Sequence, residues 1–436
     1  MLSFWVTIIL IVSLVLSKLM YQRWINPLST YAATWAFLLY LFDLRLIVYP
    51  PITSLTWVVV LIAFISFLLG CVVVYSARSI FYDDSLLFDA KKEKKAYWSN
   101  KKLKMVRNLI IVLGSIGLFG SLQHWYVLIN IFGSVPEVLI NAGTIYSLRV
   151  SGEHFGQIPY LVLLSFVSVY LSAVYSAYRN KFSILIVLPI IAVILHDAAT
   201  FGRAGIFFAF ILFFVTFITA RVYFKNNSSD SRYSNNKSII FAGILIIVLA
   251  MTSVSLIRIV RNPISVDFIN STTTLKKLDN MNIISPSLYL YFSSPISVLS
   301  KYMDNRDEIA VWGENTFYPI YNNLNRFGLD VSLESYPKGY YVPMWVNSAT
   351  YIRELDVDFG PLGVIIVPFM VGVFATFFWF KYFENGNLIY LSFYSFVNVI
   401  IIFSIFYMAT RLAFWFFGLI FSLIAVTILN KYDTSE

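Results

Sequence analysis

The sequence predicts an all-α polytopic membrane protein with about 11 transmembrane helices and one large extracytoplasmic loop domain. Three observations predict it. Of the 436 residues, 59% are hydrophobic and only 13% are charged, about half the charged share of an ordinary soluble domain. The apolar residues fall into runs close to the ~20 residues that cross ~30 Å of hydrocarbon. The basic residues gather in short blocks between those runs, as they do on the cytoplasmic side of membrane proteins.

In chain order the expected spans lie near residues 2–19, 28–48, 55–76, 107–131, 157–178, 182–197, 204–222, 238–257, 359–380, 387–407 and 412–430. The first run, Leu2 to Ser17, has no basic residue before it and no small-x-small cleavage pattern after it, so it is expected to be a retained span. The span at 28–48 contains Asp43 and Arg45 near its end, and that at 182–197 is short. The chain therefore divides into an N-terminal bundle (1–257), a large loop (258–358) and C-terminal helices (359–436).

Lys91, Lys92, Lys94, Lys95, Lys101, Lys102 and Lys104 make the loop 77–106 the most basic in the chain. Placing that loop in the cytoplasm and alternating outward puts Lys18/Arg23, Arg179/Lys181, Arg221 to Lys237, Lys381 and Lys431 on the same side. The N-terminus is then outside and the C-terminus cytoplasmic. Asn226 to Ser238 is an Asn/Ser-rich linker. The 258–358 loop mixes Tyr, Trp, Pro and aliphatic residues with nearly balanced charge, so it is expected to fold. Within it Ile296, Leu299 and Met303 follow Pro295 at helical spacing, which suits either an amphipathic helix at the membrane interface or packing inside the loop.

Composition also excludes several functions. The net charge of +9 is explained by the cytoplasmic blocks, so no nucleic-acid partner is expected. The single cysteine, Cys71, lies inside an apolar run, and His124, His154 and His196 have no ligand spacing, so neither a disulfide framework nor a metal site is expected. Asp358-Phe-Gly spells a kinase metal motif, but neither the glycine-rich loop nor the catalytic-loop motif of kinases accompanies it.

Candidate chemistry lies at the outer helix ends, where charge near hydrocarbon has a partner or a task. Arg149, Arg203, Arg258, Arg261, Arg353 and Arg411 all map there. A single arginine so placed ordinarily snorkels or pairs with a carboxylate. The set as a whole runs against the positive-inside bias and suits a phosphate or pyrophosphate group, because the guanidinium fork donates several coplanar hydrogen bonds. His196 is a further polar contributor. The densest polar stretch, Asn347 to Gly363, carries Arg353, Glu354, Asp356 and Asp358 directly into a span. Asp358 with Pro361 fits a helix start; it fits equally a general base, with Glu354 or Asp356 as lesser candidates.

Phe-Gly202-Arg203-Ala-Gly205, Gly313-Glu-Asn-Thr-Phe317-Tyr-Pro-Ile, and Asn347…Thr350-Tyr…Arg353…Asp358-Phe-Gly360-Pro-Leu-Gly363 together resemble the Wzy-type O-antigen and capsular polysaccharide polymerases of bacteria. The topological resemblance covers nearly the whole chain, while the paired Arg-x10-Gly loop motifs of some members are absent. The resemblance implies a polyprenol-dependent, GT-C-like glycosyltransferase of the bacterial cytoplasmic (inner) membrane. It would act on undecaprenyl-pyrophosphate-linked oligosaccharide and membrane lipids, with no cofactor and with a chain-length-regulating co-polymerase as possible partner. By position it carries Arg203, Arg353 and Asp358 over to catalysis and Arg149 to substrate binding; placement at the outer helix ends adds Arg258, Arg261, Arg411 and His196 as substrate-binding candidates. Tyr340, Tyr341 and Trp345 suit stacking on sugars or loop packing. An O-antigen ligase is the nearest alternative, disfavoured because 258–358 contains no histidine; a transporter or flippase of lipid-linked oligosaccharide would be expected to show repeat symmetry.

Overall fold

The computed structural model describes residues 2–81, 98–150, 155–156, 158–227, 271–281, 286–328, 331–334 and 336–431. Arg258, Arg261, His154, the expected span 238–257 and most of the basic loop lie outside the described residues. In chain order the helices are α1 (Leu2–Tyr21), α2 (Pro27–Asp43), α3 (Ser54–Phe81), α4 (Asn100–Phe132), α5 (Val135–Ile140), α6 (Ala142–Val150), α7 (Leu163–Arg179), α8 (Val187–Ala199), α9 (Ala204–Asn226), α10 (Thr273–Asn280), α11 (Pro286–Ser293), α12 (Pro295–Asn305), α13 (Glu314–Arg326), α14 (Tyr351–Phe359), α15 (Pro361–Asn385), α16 (Leu388–Phe403) and α17 (Ala413–Lys431). A two-residue hairpin pairs β1 (Tyr340–Tyr341) with β2 (Trp345–Val346), antiparallel.

Among the described residues six helices are long and apolar enough to cross a membrane: Phe4–Tyr21, Ser54–Ile80, Asn100–Phe132, Ala204–Asn226, Pro361–Asn385 and Ala413–Lys431. The protein is therefore an all-α membrane protein, in which helices satisfy their own backbone groups without water. Of the other expected spans, the four within the described residues fall on shorter helices: α2 and α7 have 17 residues each, and Ile184–Ala199 and Leu388–Phe403 are shorter apolar stretches. α7 is buried on every side from Ser165 to Tyr178, so protein takes the place of lipid around it.

The chain forms two compact units, each built from separated segments. The first comprises Met1–Asp83, Val266–Phe380 and Val397–Leu412; the second comprises Asp84–Ser265, Lys381–Phe396 and Ala413–Glu436. Within the first unit, residues of 271–300 pack on the N-terminal helices. Thr272 N donates to Leu46 O (3.0 Å), Tyr49 Oη meets Ser293 Oγ (2.5 Å), and Thr53 N donates to Ser300 Oγ (3.1 Å).

In the first unit α2 begins with a reciprocal cap: Asn26 Oδ1 accepts from Ser29 N (2.8 Å) while Ser29 Oγ accepts from Asn26 N (3.2 Å), with Pro27 opening the helix. α3 and α15 cross closely, since a Cβ at Gly70 would lie 2.2 Å from Phe369 O and one at Gly372 2.3 Å from Phe67 O. Small residues at such a crossing let backbones touch where the hydrophobic effect between helices is absent. Tyr31 Oη meets Tyr351 Oη (3.0 Å), and Trp35 Nε1 donates to Ser404 Oγ (2.9 Å). Tyr351 N donates to Ser404 O (2.8 Å). These contacts fix the start of α14, the helix that carries Arg353, Glu354, Asp356 and Asp358.

α12 does not float at an interface. Ile296, Leu299 and Met303 are buried, and so are Ser297, Val298, Ser300 and Tyr302 on its other faces, so of its two expected settings the structure shows packing inside the loop.

In the second unit Ser168 Oγ of α7 donates to Ile110 O (2.7 Å), and Ser121 Oγ and Trp125 Nε1 of α4 donate to Ala192 O (2.7 Å) and Leu195 O (2.9 Å) of α8. The two serine hydroxyls and the indole N–H are each spent on a carbonyl of a neighbouring helix, as a low-dielectric interior favours.

Candidate functional site

The first unit brings three of the expected residues together: Arg353 and Asp358 on α14, and Arg411 at the end of the short 3-10 turn Ala409–Arg411. α14 stops at Gly360, whose φ of +65° turns the chain so that Pro361 can open α15. Pro361 thus takes the expected first-turn position.

Asp358 does not start that helix. Its carboxylate accepts from Asn315 N (2.9 Å), Asn315 Nδ2 (2.8 Å), Thr316 N (2.7 Å) and Thr316 Oγ1 (2.7 Å). It therefore caps α13, a helix whose own N-cap is Gly313 and which has no side-chain cap of its own. The carboxylate supplies what glycine cannot, and its charge opposes the positive end of the helix dipole. Burial raises its pKa above the usual carboxylate range, and the four donors pull it back down. With both oxygens occupied, Asp358 serves as a cap, for α13 and not for the helix that Pro361 opens.

Arg353 is likewise committed. It is 1% exposed and donates through Nη1 to Lys338 O (3.0 Å) and through Nη2 to Asn347 O (3.0 Å), with Glu308 Oε1 3.8 Å from Nη1. It ties α14 to the hairpin region. Asp356 accepts from Tyr302 Oη (2.8 Å) and lies 3.4 Å from Arg306 Nε. Tyr340 is buried and its hydroxyl lies 2.7 Å from Asp307 Oδ1 and 2.8 Å from Glu308 Oε1, whereas Tyr341 and Trp345 are exposed and meet edge-on across the hairpin.

The group that sequence ranked lower is Glu354. It is 2% exposed; its Oε2 accepts from Met408 N, while Oε1 is buried with no hydrogen-bond partner among the described residues. Burial lifts its pKa to about 7, the Arg411 and Arg353 charges and the Met408 amide pulling it down and Asp358 pushing it up. A carboxyl poised near neutrality with a free oxygen can exchange a proton. Glu354 stands four residues before Asp358 on α14, so the two share a helix face. Arg411 is only half-buried; it donates to Asn315 Oδ1 and Glu334 O and stacks over Tyr318 (4.9 Å). It is the arginine of this unit that borders both Glu354 and the surface.

The second unit holds Arg149, His196 and Arg203. Arg203 is the N-cap residue of α9 and contributes no side-chain cap. Asp197, on the preceding helix, does so instead: its Oδ2 accepts from Ile206 N (2.8 Å). Gly205 makes room, because a Cβ there would lie 2.6 Å from Asp197 Oδ1. Arg149, in the last turn of α6, donates to Thr200 O (3.0 Å), and a Cβ at Gly202 would lie 3.0 Å from its Nη1. The rings of His196 and His124 are 5.8 Å apart, and the Nδ1 atoms of both are buried without a hydrogen-bond partner among the described residues. The Gly-Arg-Ala-Gly motif is thus a capped helix start, with arginine at the cap position.

Among the described residues no group of three or more His, Cys, Asp or Glu side chains is placed to hold a metal ion. No family model, no curated protein and no solved structure matches the chain.

Proposed function

We propose that the protein is a membrane glycosyltransferase that polymerises undecaprenyl-pyrophosphate-linked oligosaccharide repeat units at the outer face of the bacterial cytoplasmic membrane. The growing chain passes to the non-reducing end of an incoming unit. One observation carries the chemistry: the buried Glu354 carboxyl, with its unpartnered Oε1 and a pKa near 7, beside the half-exposed Arg411. The motif resemblance and the many apolar helices support the setting.

On this reading Glu354 Oε1 takes the proton of the acceptor hydroxyl as its oxygen bonds to the anomeric carbon. The bond from that carbon to the phosphate oxygen breaks, and undecaprenyl pyrophosphate leaves with its electron pair, its growing charge met by Arg411. The leaving group is already good, so alignment of donor and acceptor supplies much of the rate. Asp358 and Arg353 hold the frame. Oε1 becomes accessible when the 408–411 segment, held by the Met408 amide on Glu354 and by Arg411 on Asn315, lifts from α14.

The test is purified full-length protein supplied only with lipid-linked repeat units. A ladder of longer glycans is expected, reduced about 100-fold or more by Glu354→Gln with unchanged expression and monodispersity, and strongly reduced by Arg411→Ala. Absence of a ladder together with transbilayer movement of the lipid in vesicles would make the protein a transporter; transfer of a finished glycan to a different acceptor would make it a ligase.

A further inference from the structure

α13 has two faces of opposite character. Asn315, Pro319 and Glu314 are buried, and Tyr318 lies under Arg411, so one face is committed to the Asp358 and Arg411 corner. From Tyr318 onward, Ile320, Tyr321, Leu324 and Phe327 recur at i, i+1, i+4 and i+7, a single stripe at 3.6 residues per turn on the opposite side. Leu324 and Phe327 are 42% and 86% exposed. Ahead of the helix, Trp312 is 66% exposed and Ile309 also stands out from the surface.

This apolar face is continuous with a membrane entry point. Tyr321 Oη donates to Trp312 O (2.9 Å), which joins the stripe to Trp312. Trp312 in turn packs edge-on against Phe359 (5.0 Å between ring centres). Phe359 is two residues before Pro361, where the span Pro361–Asn385 begins, and Leu362 in its first turn is exposed. A water-facing surface of this composition is costly, whereas Trp and Tyr beside the end of a span are the residues that settle at headgroup level.

We propose that α13 is an interfacial helix: its Ile320–Tyr321–Leu324–Phe327 stripe, together with Trp312, lies in the headgroup and upper acyl region of the bilayer around the start of α15. The opposite face of the same helix holds Arg411 and is capped by Asp358, so lipid contact fixes the height of that corner relative to the membrane. The placement rests on the apolar stripe and the span alone and is independent of the chemistry proposed above.

The experiment uses the full-length chain with Cys71→Ala, because Cys71 is buried in α3, and one new cysteine bearing an environment-sensitive fluorophore at Leu324, Phe327 or the exposed Asp304. The protein is reconstituted in phosphatidylcholine vesicles with and without lipid spin-labelled high on the acyl chain. Labels at 324 and 327 are expected to emit at shorter wavelength and to be quenched about twofold by the spin-labelled lipid, as for groups buried ~5–10 Å past the headgroups. The label at 304 is expected to change little. If Leu324→Cys disturbs the helix, Phe327→Cys, just beyond its last residue, carries the same readout. Emission at both positions matching that at 304, whether all are quenched or none is, overturns the proposal.

Discussion

Each unit contains a helix whose start is capped from outside, and the two corners differ in what surrounds the cap. At α13 the aspartate comes from a helix far along the chain, accepts four hydrogen bonds and has beside it a half-exposed arginine and a carboxyl with an idle oxygen. At α9 the aspartate comes from the immediately preceding helix, is wedged against a glycine and has beside it two imidazole rings and an arginine turned onto a backbone carbonyl. The first corner keeps a buried carboxyl oxygen without a hydrogen-bond partner among the described residues. The second corner keeps two such imidazole nitrogens, while its Asp197 and Arg149 turn the chain between two apolar helices, where a missing cap would leave amides in hydrocarbon.

The largest expected effect concerns that carboxyl. Glu354 has its pKa raised from 4.5 to about 7, so the folded protein holds this proton more tightly than the unfolded chain does. Stability from this group is present below pH ~4.5, declines as pH rises, and levels off above pH ~7, at about 1.4 kcal/mol per pH unit within that window. Glu354→Gln removes the decline, so thermal inactivation curves of the variant and the wild type should diverge with rising pH, the variant being the more stable at pH 8. Parallel pH profiles for wild type and Glu354→Gln would place Glu354 among ordinary solvated carboxylates.

Next in size is the cap that carries four bonds. Asp358→Ala strips Asn315 and Thr316 of their acceptor and should cost about 2–3 kcal/mol, more than an ordinary cap removal because the acceptor is charged and buried. Hydrogen exchange should show lost protection confined first to the amides of Asn315 and Thr316. Unchanged protection there would mean that solvent replaces the carboxylate without penalty, and that Asp358 is available for other work.

How much of this was legible beforehand follows from how far apart the partners are in sequence. The spans and the polar stretch entering α15 are properties of local composition, and they are visible in the chain as written. Gly202 to Gly205 and Asp358 also stand out, because charge and glycine at the mouth of an apolar run demand an explanation. Their partners do not stand out. Nothing near Asp358 names Asn315 and Thr316, 43 and 42 residues away, and nothing near Arg353 names Lys338 O. A guanidinium suits phosphate and carbonyl oxygen equally, and Arg149 and Arg353 donate to backbone carbonyls. Glu354 does not stand out in the chain, because its unpartnered oxygen depends on the distant 408–411 turn, whose Met408 amide reaches only Oε2. The i, i+4 spacing to Asp358 on α14 was the one available signal. The three apolar positions of α12 suit an interface and loop packing alike, and small buried serines on its other faces let it pack inside, while the apolar positions of α13 are interrupted in the sequence by its asparagines and Pro319.

The smallest expected effect separates the two caps most directly. Gly205→Ala would place a methyl 2.6 Å from Asp197 Oδ1, and because the obstacle is the capping carboxylate itself, helix α9 must either lose its cap or shift, at about 1–2 kcal/mol. In an Asp197→Ala background the obstacle is gone, and the same substitution should cost nothing or stabilise slightly, since alanine is the better helix former. Gly313→Ala at the other corner has different causes: φ is +70° and the added methyl meets the Phe317 ring at 2.8 Å, not Asp358. Its cost of about 1 kcal/mol should therefore persist when Asp358 is replaced by alanine. Strong coupling in the 197/205 cycle with additivity in the 313/358 cycle, read from thermal stability, is the outcome that matches a wedged cap in one unit and an independent one in the other. Additivity in both would mean that Asp197 moves aside freely, and that α9 does not depend on it for its start.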